Sequence, residues 1–229
     1  LHAYFIRPGD PEIPVIYQVD RARDGGSFTT RRVVAIQHGK QILNMSASFH
    51  VEEPGRHHQH PMPQVSGPEN WPDRNKLRAD ELDRVPEHRR ADFMRPRPIE
   101  LHDVEPRDMF EPEIVSDENH SWFRMAAAKG SSPQMQHCML AYASDMNLLG
   151  SSLRPHGLTW MNGKVMTASL DHAMWFHAPV QFENWHLYTM DSPWTGGARG
   201  FNRGSIYDQS GVLVASTAQE GLIREITPR

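Results

Sequence analysis

The run from Gln134 to His177, QMQHCMLAYASDMNLLGSSLRPHGLTWMNGKVMTASLDHAMWFH, constrains the chain most, because it reads as one helix followed by one long strand. Met135, Cys138, Met139, Tyr142, Met146 and Leu149 recur at spacings of three and four, the period that gathers side chains on one helical face. That face is expected to be buried. Ser132 suits an N-cap, Pro133 suits the first turn and Gly150 follows the last apolar residue, which predicts a helix over Gln134–Leu149. Asp145 falls at the edge of this face, half inside, where a carboxylate is costly unless it has partners. The strand is expected over Lys164–Phe176.

Internal repetition constrains the rest. The offset of 171 that lays Phe5 on Phe176 also pairs Pro8 with Pro179, Glu12 with Glu183, Tyr17 with Tyr188 and Asp20 with Asp191. It continues through Gly25 with Gly196, Gly26 with Gly197 and Arg32 with Arg203. Matches at one offset within similar strand and turn patterns point to duplication. Leu1 then falls on His172, so the helix and the strand before it have no counterpart in the first half. They are expected upstream of residue 1, with a naturally shortened half as the alternative.

In chain order, His2–Ile6, Val15–Val19, Thr29–Gln37 and Gln41–Val51 alternate as antiparallel strands, separated by turns at Arg7-Pro8-Gly9-Asp10, Asp24-Gly25-Gly26 and His38-Gly39. Residues 1–52 are therefore read as the C-terminal part of a first repeat. Residues 53–97, rich in proline, histidine and charge, are read as a linker with a short amphipathic helix near Asn75–Val85. Residues 98–229 form a complete second repeat: strands at Ile99–Val104 and Ser121–Ala127, the helix and strand above, then Trp185–Met190, Gly200–Tyr207 and Val212–Arg224. One helix within a succession of antiparallel strands is an α+β layer whose sheet curls round the helix.

Charge and cysteine content exclude several classes. With 24 basic against 28 acidic residues the chain has no general footprint for nucleic acid or anionic membrane. The one cysteine, Cys138, forms no internal disulfide and is expected as a buried helix residue in a reducing compartment. No apolar run is long enough to cross a bilayer, no signal peptide is visible and Thr227-Pro228-Arg229 is no targeting tail, so the expected location is cytoplasmic. Arg56-His57-His58-Gln59-His60 lacks carboxylates or cysteines at ligand spacing and reads as a solvated loop, so no metal is expected.

LAYASDMNLL, SLDHAMWFHAP and GVLVASTAQEGLIR, with YFIRPGD and ASFHVEEPG in the first half, resemble the acyl-CoA thioesterase II family over nearly the whole chain apart from the linker. The resemblance implies a double hotdog fold, of which the first hotdog is incomplete here, and hydrolysis of acyl-CoA to free acid and coenzyme A without a cofactor. It further implies a catalytic trio of an aspartate, a threonine or serine, and a glutamine. These fall on Asp145, Ser169 and Gln219, with serine standing at 169 where the family has threonine or serine. Acyl-CoA is then the expected partner, with no nucleic acid, no membrane insertion, and homo-oligomerisation through sheet edges or faces.

The residues themselves are compatible with that reading. Gln219 shares a strand face with Leu213, Ala215 and Ile223, so its amide points inward and needs partners. Ser169 takes the face opposite Met166, Ala168, Leu170 and Met174 if the strand is regular. A carboxylate, a hydroxyl and an amide converging on one water can activate it without a covalent intermediate. Oxyanion donors are expected among backbone N–H groups near the helix N-terminus. Taken singly, each residue reads as structural. Asp171 and His172 are adjacent on a strand and form no direct couple, and no Gly-x-Ser-x-Gly elbow is present. Gln219 falls on Ser48 at the repeat offset, so the first half offers no second site. Met146, Trp160 and Met161 are candidates to line an acyl tunnel, and Arg199 and Arg203 to meet coenzyme A phosphates. A non-catalytic acyl-CoA-binding or assembly module, and an enoyl-thioester hydratase using a His–Asp pair, are the alternatives.

Overall fold

The computed structural model describes residues 1–226, and Thr227-Pro228-Arg229 lie outside them. Its strands are β1 (His2–Phe5), β2 (Ile16–Asp24), β3 (Phe28–Gln37), β4 (Lys40–His50), β5 (Glu100–Asp103), β6 (Asn119–Arg124), β7 (Val165–Ser169), β8 (Asp171–Phe176), β9 (His186–Gly196), β10 (Arg199–Asp208) and β11 (Leu213–Glu225). The helices are α1 (Arg74–Asp80), α2 (Glu87–Phe93), α3 (Pro133–Ser144) and the single turn α4 (Gly150–Leu153).

All the strands belong to one sheet, in the order β2-β3-β4-β1-β8-β11-β10-β9-β6-β5, with β7 added beside β11. The seam between the halves is the antiparallel pair β1–β8, where His2 lies opposite Ala173. Those two residues are 171 positions apart in the chain, the same spacing as the sequence matches.

Helix α3 lies on the second half of the sheet. Leu140 and Ala143 have no exposed surface and pack with Phe123, Met174, Tyr188, Ile206 and Ala215. Burying a leucine of this kind is worth about 1.5–3 kcal/mol, and alanine brings the helix close to the sheet. Strand β2 in the first half is exposed along its whole length.

Four expectations are corrected. First, the helix stops at Ser144, not Leu149. The Tyr188 hydroxyl donates to the Ser144 carbonyl at 2.7 Å, occupying an acceptor that a longer helix would use, and Asn147 turns left-handed at φ 72°. Second, the buried face comprises Gln136, Leu140, Ala143 and Ser144, while Met135, Cys138 and Tyr142 are exposed. Counting apolar residues misses a buried glutamine whose amide is satisfied: Gln136 Nε2 donates to the Ala128 carbonyl at 2.9 Å, and its Oε1 accepts from the Phe182 N–H at 2.8 Å. Third, Asp145 caps the helix and is exposed rather than half-buried.

Fourth, the strand over Lys164–Phe176 is two strands. Ser169 pairs with Gly221 and Ala173 with Ala218, so three residues of one strand face two of β11. The extra residue is a β-bulge at Leu170 that changes which side chains face inward. The linker, finally, is more structured than its composition suggests. Asp73 caps α1 by accepting from the Asn75 N–H at 2.9 Å, and a second helix, α2, follows. Gln59 pins the segment to the β10–β11 hairpin, donating to the Gly211 carbonyl at 2.7 Å.

Candidate active site

The end of α3 and strands β7, β8 and β11 meet at one cluster of polar groups. Ser169, at the last position of β7, donates its hydroxyl proton to Asp145 Oδ1 at 3.2 Å. It accepts from Gln219 Nε2 at 2.6 Å. The three residues singled out in the sequence are thus joined by direct hydrogen bonds, with the serine in the middle. Gln219 is 1% exposed, whereas Asp145 is open to solvent, so the cluster has a fixed floor and an accessible carboxylate.

His172 extends the network inward and was not expected there. Its Nδ1 lies 2.7 Å from Gln219 Oε1, and its Nε2 lies 2.8 Å from Ser144 Oγ. Since Gln219 gives an N–H to Ser169, its amide oxygen faces the imidazole and must accept from Nδ1–H. A directed relay results: His172 donates to Gln219, Gln219 to Ser169, and Ser169 to Asp145. Pairing His172 only with its neighbour Asp171 in the sequence misses this role. In a regular strand Ser169 and His172 take opposite faces, and the bulge at Leu170 brings both to Gln219.

Tyr188 braces the cluster from below. Besides its bond to Ser144, its hydroxyl lies 2.8 Å from Thr217 Oγ1. Burial, with the nearby Asp145 charge adding to it, holds the ionisation of this phenol far above its ordinary value, so it stays a neutral donor. The last turn of α3, and hence the position of Asp145, is tied to the sheet through this side chain.

The helix N-terminus does not supply oxyanion donors. Asp145 caps the other end of α3, and twelve residues of helix place Pro133 about 18 Å away. Arg199 and Arg203 are likewise committed elsewhere, Arg199 to Glu220 at 3.1 Å and Arg203 to Asp191 at 2.6 Å. Met146, Trp160 and Met161 all line a cavity of about 650 Å³, and Met146 is the residue that follows Asp145 in the chain.

A family model described as acyl-CoA thioesterase matches residues 89–222, and one described as acyl-CoA thioesterase N-terminal domain matches residues 1–50. The chain belongs to the acyl-CoA thioesterase family. Among its relatives in that family, acyl-CoA thioesterase 2 of Haemophilus influenzae is 37% identical over 97% of this chain and 78% of its own length. Human acyl-coenzyme A thioesterase 8 is 41% identical over 98% of this chain and 72% of its own length. The crystal structure of the acyl-CoA thioesterase II TesB2 from Mycobacterium marinum superposes with a TM-score of 0.78 at 37% identity, covering 99% of this chain and 80% of that one. A hot dog fold protein from Alicyclobacillus acidocaldarius superposes at 0.75 with 17% identity, over the whole of this chain and 78% of that one, a likeness of fold alone. This family member is accordingly a hotdog protein in architecture, a long helix held against an antiparallel sheet.

Proposed function

We propose that this chain hydrolyses acyl-CoA thioesters, using Asp145, Ser169 and Gln219 on a water molecule. The observation that carries the reading is the bridging serine, which holds a solvent-accessible carboxylate and a buried amide in one chain of hydrogen bonds. Oδ1 of Asp145 is occupied by Ser169, leaving Oδ2 to take a proton from water. Gln219 Nε2 donates to the Ser169 oxygen and so keeps the serine proton directed at Asp145. Water attacks the carbonyl carbon while its proton passes to Asp145. The tetrahedral oxyanion then collapses with cleavage of the C–S bond, and the departing thiolate of coenzyme A takes the proton held by Asp145, which restores the carboxylate. Positioning and proton acceptance are the protein's share of this chemistry, because a thioester carbonyl is already activated toward attack.

The enoyl hydratase alternative needs an imidazole paired with a carboxylate. The two ring nitrogens of His172 contact an amide and a hydroxyl instead. We also read the first 52 residues and residues 98–229 as related repeats of a double hotdog, supported by the sequence offset and by the facing of His2 and Ala173.

Thiol release from short-, medium- and long-chain acyl-CoAs, compared between wild type and Asp145→Asn, tests the mechanism. A fall in kcat of about 10²–10⁴ is expected, with the melting temperature nearly unchanged because Asp145 is exposed. Full activity in the variant refutes the assignment.

A further inference from the structure

The cavity lined by Met146, Trp160 and Met161 has a second wall of a different character. The linker helices bring Arg78 and Arg89 to it, the segments before and after β5 bring Arg97 and Arg107, and the turn after α4 adds Arg154. Two other linker-side charges are already neutralised. Arg74 makes a bidentate pair with Asp103, and Asp108 is held by Arg84. The five remaining guanidiniums make no carboxylate contact among the described residues. Arg107 and Arg154 reach only neutral oxygens, the Glu113 and Ser116 carbonyls and Asn119 Oδ1. Against them the cavity lining sets two acidic side chains outside ion pairs, Asp92 and Glu105. The Nε of Arg78 is buried without an acceptor.

Like charges gathered in a partly dry space destabilise one another unless an anion joins them. Burial, and then the neighbouring Arg97 and Arg74, pull the Arg78 guanidinium down to about 10. Arg107 is lowered by burial and then by Arg154, whereas Arg154 is lowered by burial alone, against the nearby Asp103, Glu105 and Asp117. The same cavity is floored by apolar groups from the loops flanking the trio, Met146, Trp160 and Met161. Asn147, two residues beyond Asp145, donates to Asp103 at 3.3 Å and so links the catalytic loop to the arginine-bearing side.

We infer that this cavity is the binding site for the phosphorylated nucleotide end of coenzyme A, with the linker arginines holding its phosphates. The inference rests on the hydrolase reading for the identity of the ligand. Arginine suits this task because its planar fork of donors matches phosphate oxygens in pairs. The apolar floor receives the pantetheine arm, which spans the distance from the phosphates to the thioester at Asp145. The segment 53–97 is then part of the substrate site as well as a connection between halves.

Calorimetric titration of the intact chain with coenzyme A and with pantetheine, which lacks every phosphate, tests this directly. The wild type is expected to bind coenzyme A at least about tenfold more tightly than pantetheine. In an Arg78→Met, Arg97→Gln variant that preference shrinks by about tenfold or more. Kinetically, the ratio of kcat/KM for acyl-CoA to that for the acyl N-acetylcysteamine thioester falls by a similar factor. Arg97→Gln alone, at an exposed position, repeats the test if the double variant does not fold. Equal affinity of the wild type for the two ligands, or an undiminished preference in the variants, overturns the site. If no thioester is hydrolysed while the preference for coenzyme A and its loss in the variants persist, the site stands and the hydrolase reading falls.

Discussion

Replacing His172 with phenylalanine separates a positioning role from a packing one. The ring is 5% exposed and the substitute has a similar shape, so the core volume is kept. What is lost is the donor to Gln219 Oε1 and the contact to Ser144. Ser144 Oγ still donates to the Ala141 carbonyl at 2.8 Å, so its share of the loss is small. Gln219, almost wholly buried, keeps an amide oxygen with no donor, at a cost of about 1–3 kcal/mol. For a chain of this size that corresponds to a fall in melting temperature of roughly 2–12 °C. Nothing then fixes the orientation of the amide, since phenylalanine meets neither its oxygen nor its N–H₂, and the flipped form turns the oxygen toward Ser169 and draws the serine proton away from Asp145. The catalytic geometry then exists in only a fraction of molecules. The orienting bond is worth about 1–3 kcal/mol, and its loss from the reactive arrangement lowers kcat by about 5- to 150-fold, while KM for acyl-CoA stays near the wild-type value. Thiol release and thermal melting on the same samples read both quantities. A lowered melting temperature with kcat unchanged refutes the relay and leaves His172 a core residue.

Two further outcomes follow from burial. A Cβ on Gly204 would lie 2.4 Å from Tyr188 Cε2 and 2.6 Å from Thr217 Oγ1, so Gly204→Ala is expected to cost about 1–3 kcal/mol. Because Tyr188 holds the end of α3, kcat should fall with stability, and a variant that melts like the wild type contradicts the packing described. On acidification, His186 is the group to watch, since burial lowers its affinity for a proton in the folded state below the ordinary value of 6.5. The unfolded chain takes up that proton first, so the contribution is fully present above about pH 6.5 and is lost as pH falls through the lower folded value. Melting curves between about pH 5 and pH 8 should lose less on acidification in His186→Asn than in the wild type, and parallel losses contradict the reading.

The sequence made different parts of this arrangement visible for different physical reasons. Strand alternation places Gln219 inward with Ala215 and Ile223, and all three are buried. Most strands and their turns were legible because alternation and Gly-containing turns act locally. The helix face was not, because hydrophobic periodicity ranks Met135 and Tyr142 above Gln136, whose burial depends on a distant loop donating the Phe182 N–H. The stopping point of α3 depends likewise on a tyrosine 44 residues away in the chain. The mutual contact of Asp145, Ser169 and Gln219 was legible through motifs rather than through any local rule. His172 escaped notice because period-two counting assumes an unbroken strand, and α2 escaped because proline and charge mask a helix of seven residues.

The bulge at Leu170 gives the inner strand a change of phase. Upstream of it the odd-numbered Val165 is turned inward, and downstream the even-numbered His172 and Met174 are. Adding or deleting a single residue between Ser169 and His172 would cancel that change and carry one of the two polar groups to the outside of the sheet. Substitutions there exchange one side chain for another, but a change of length rewrites the inside and outside of everything on one side of it. The single residue joining β7 to β8 is therefore held to a fixed count, as a vernier is held to its scale.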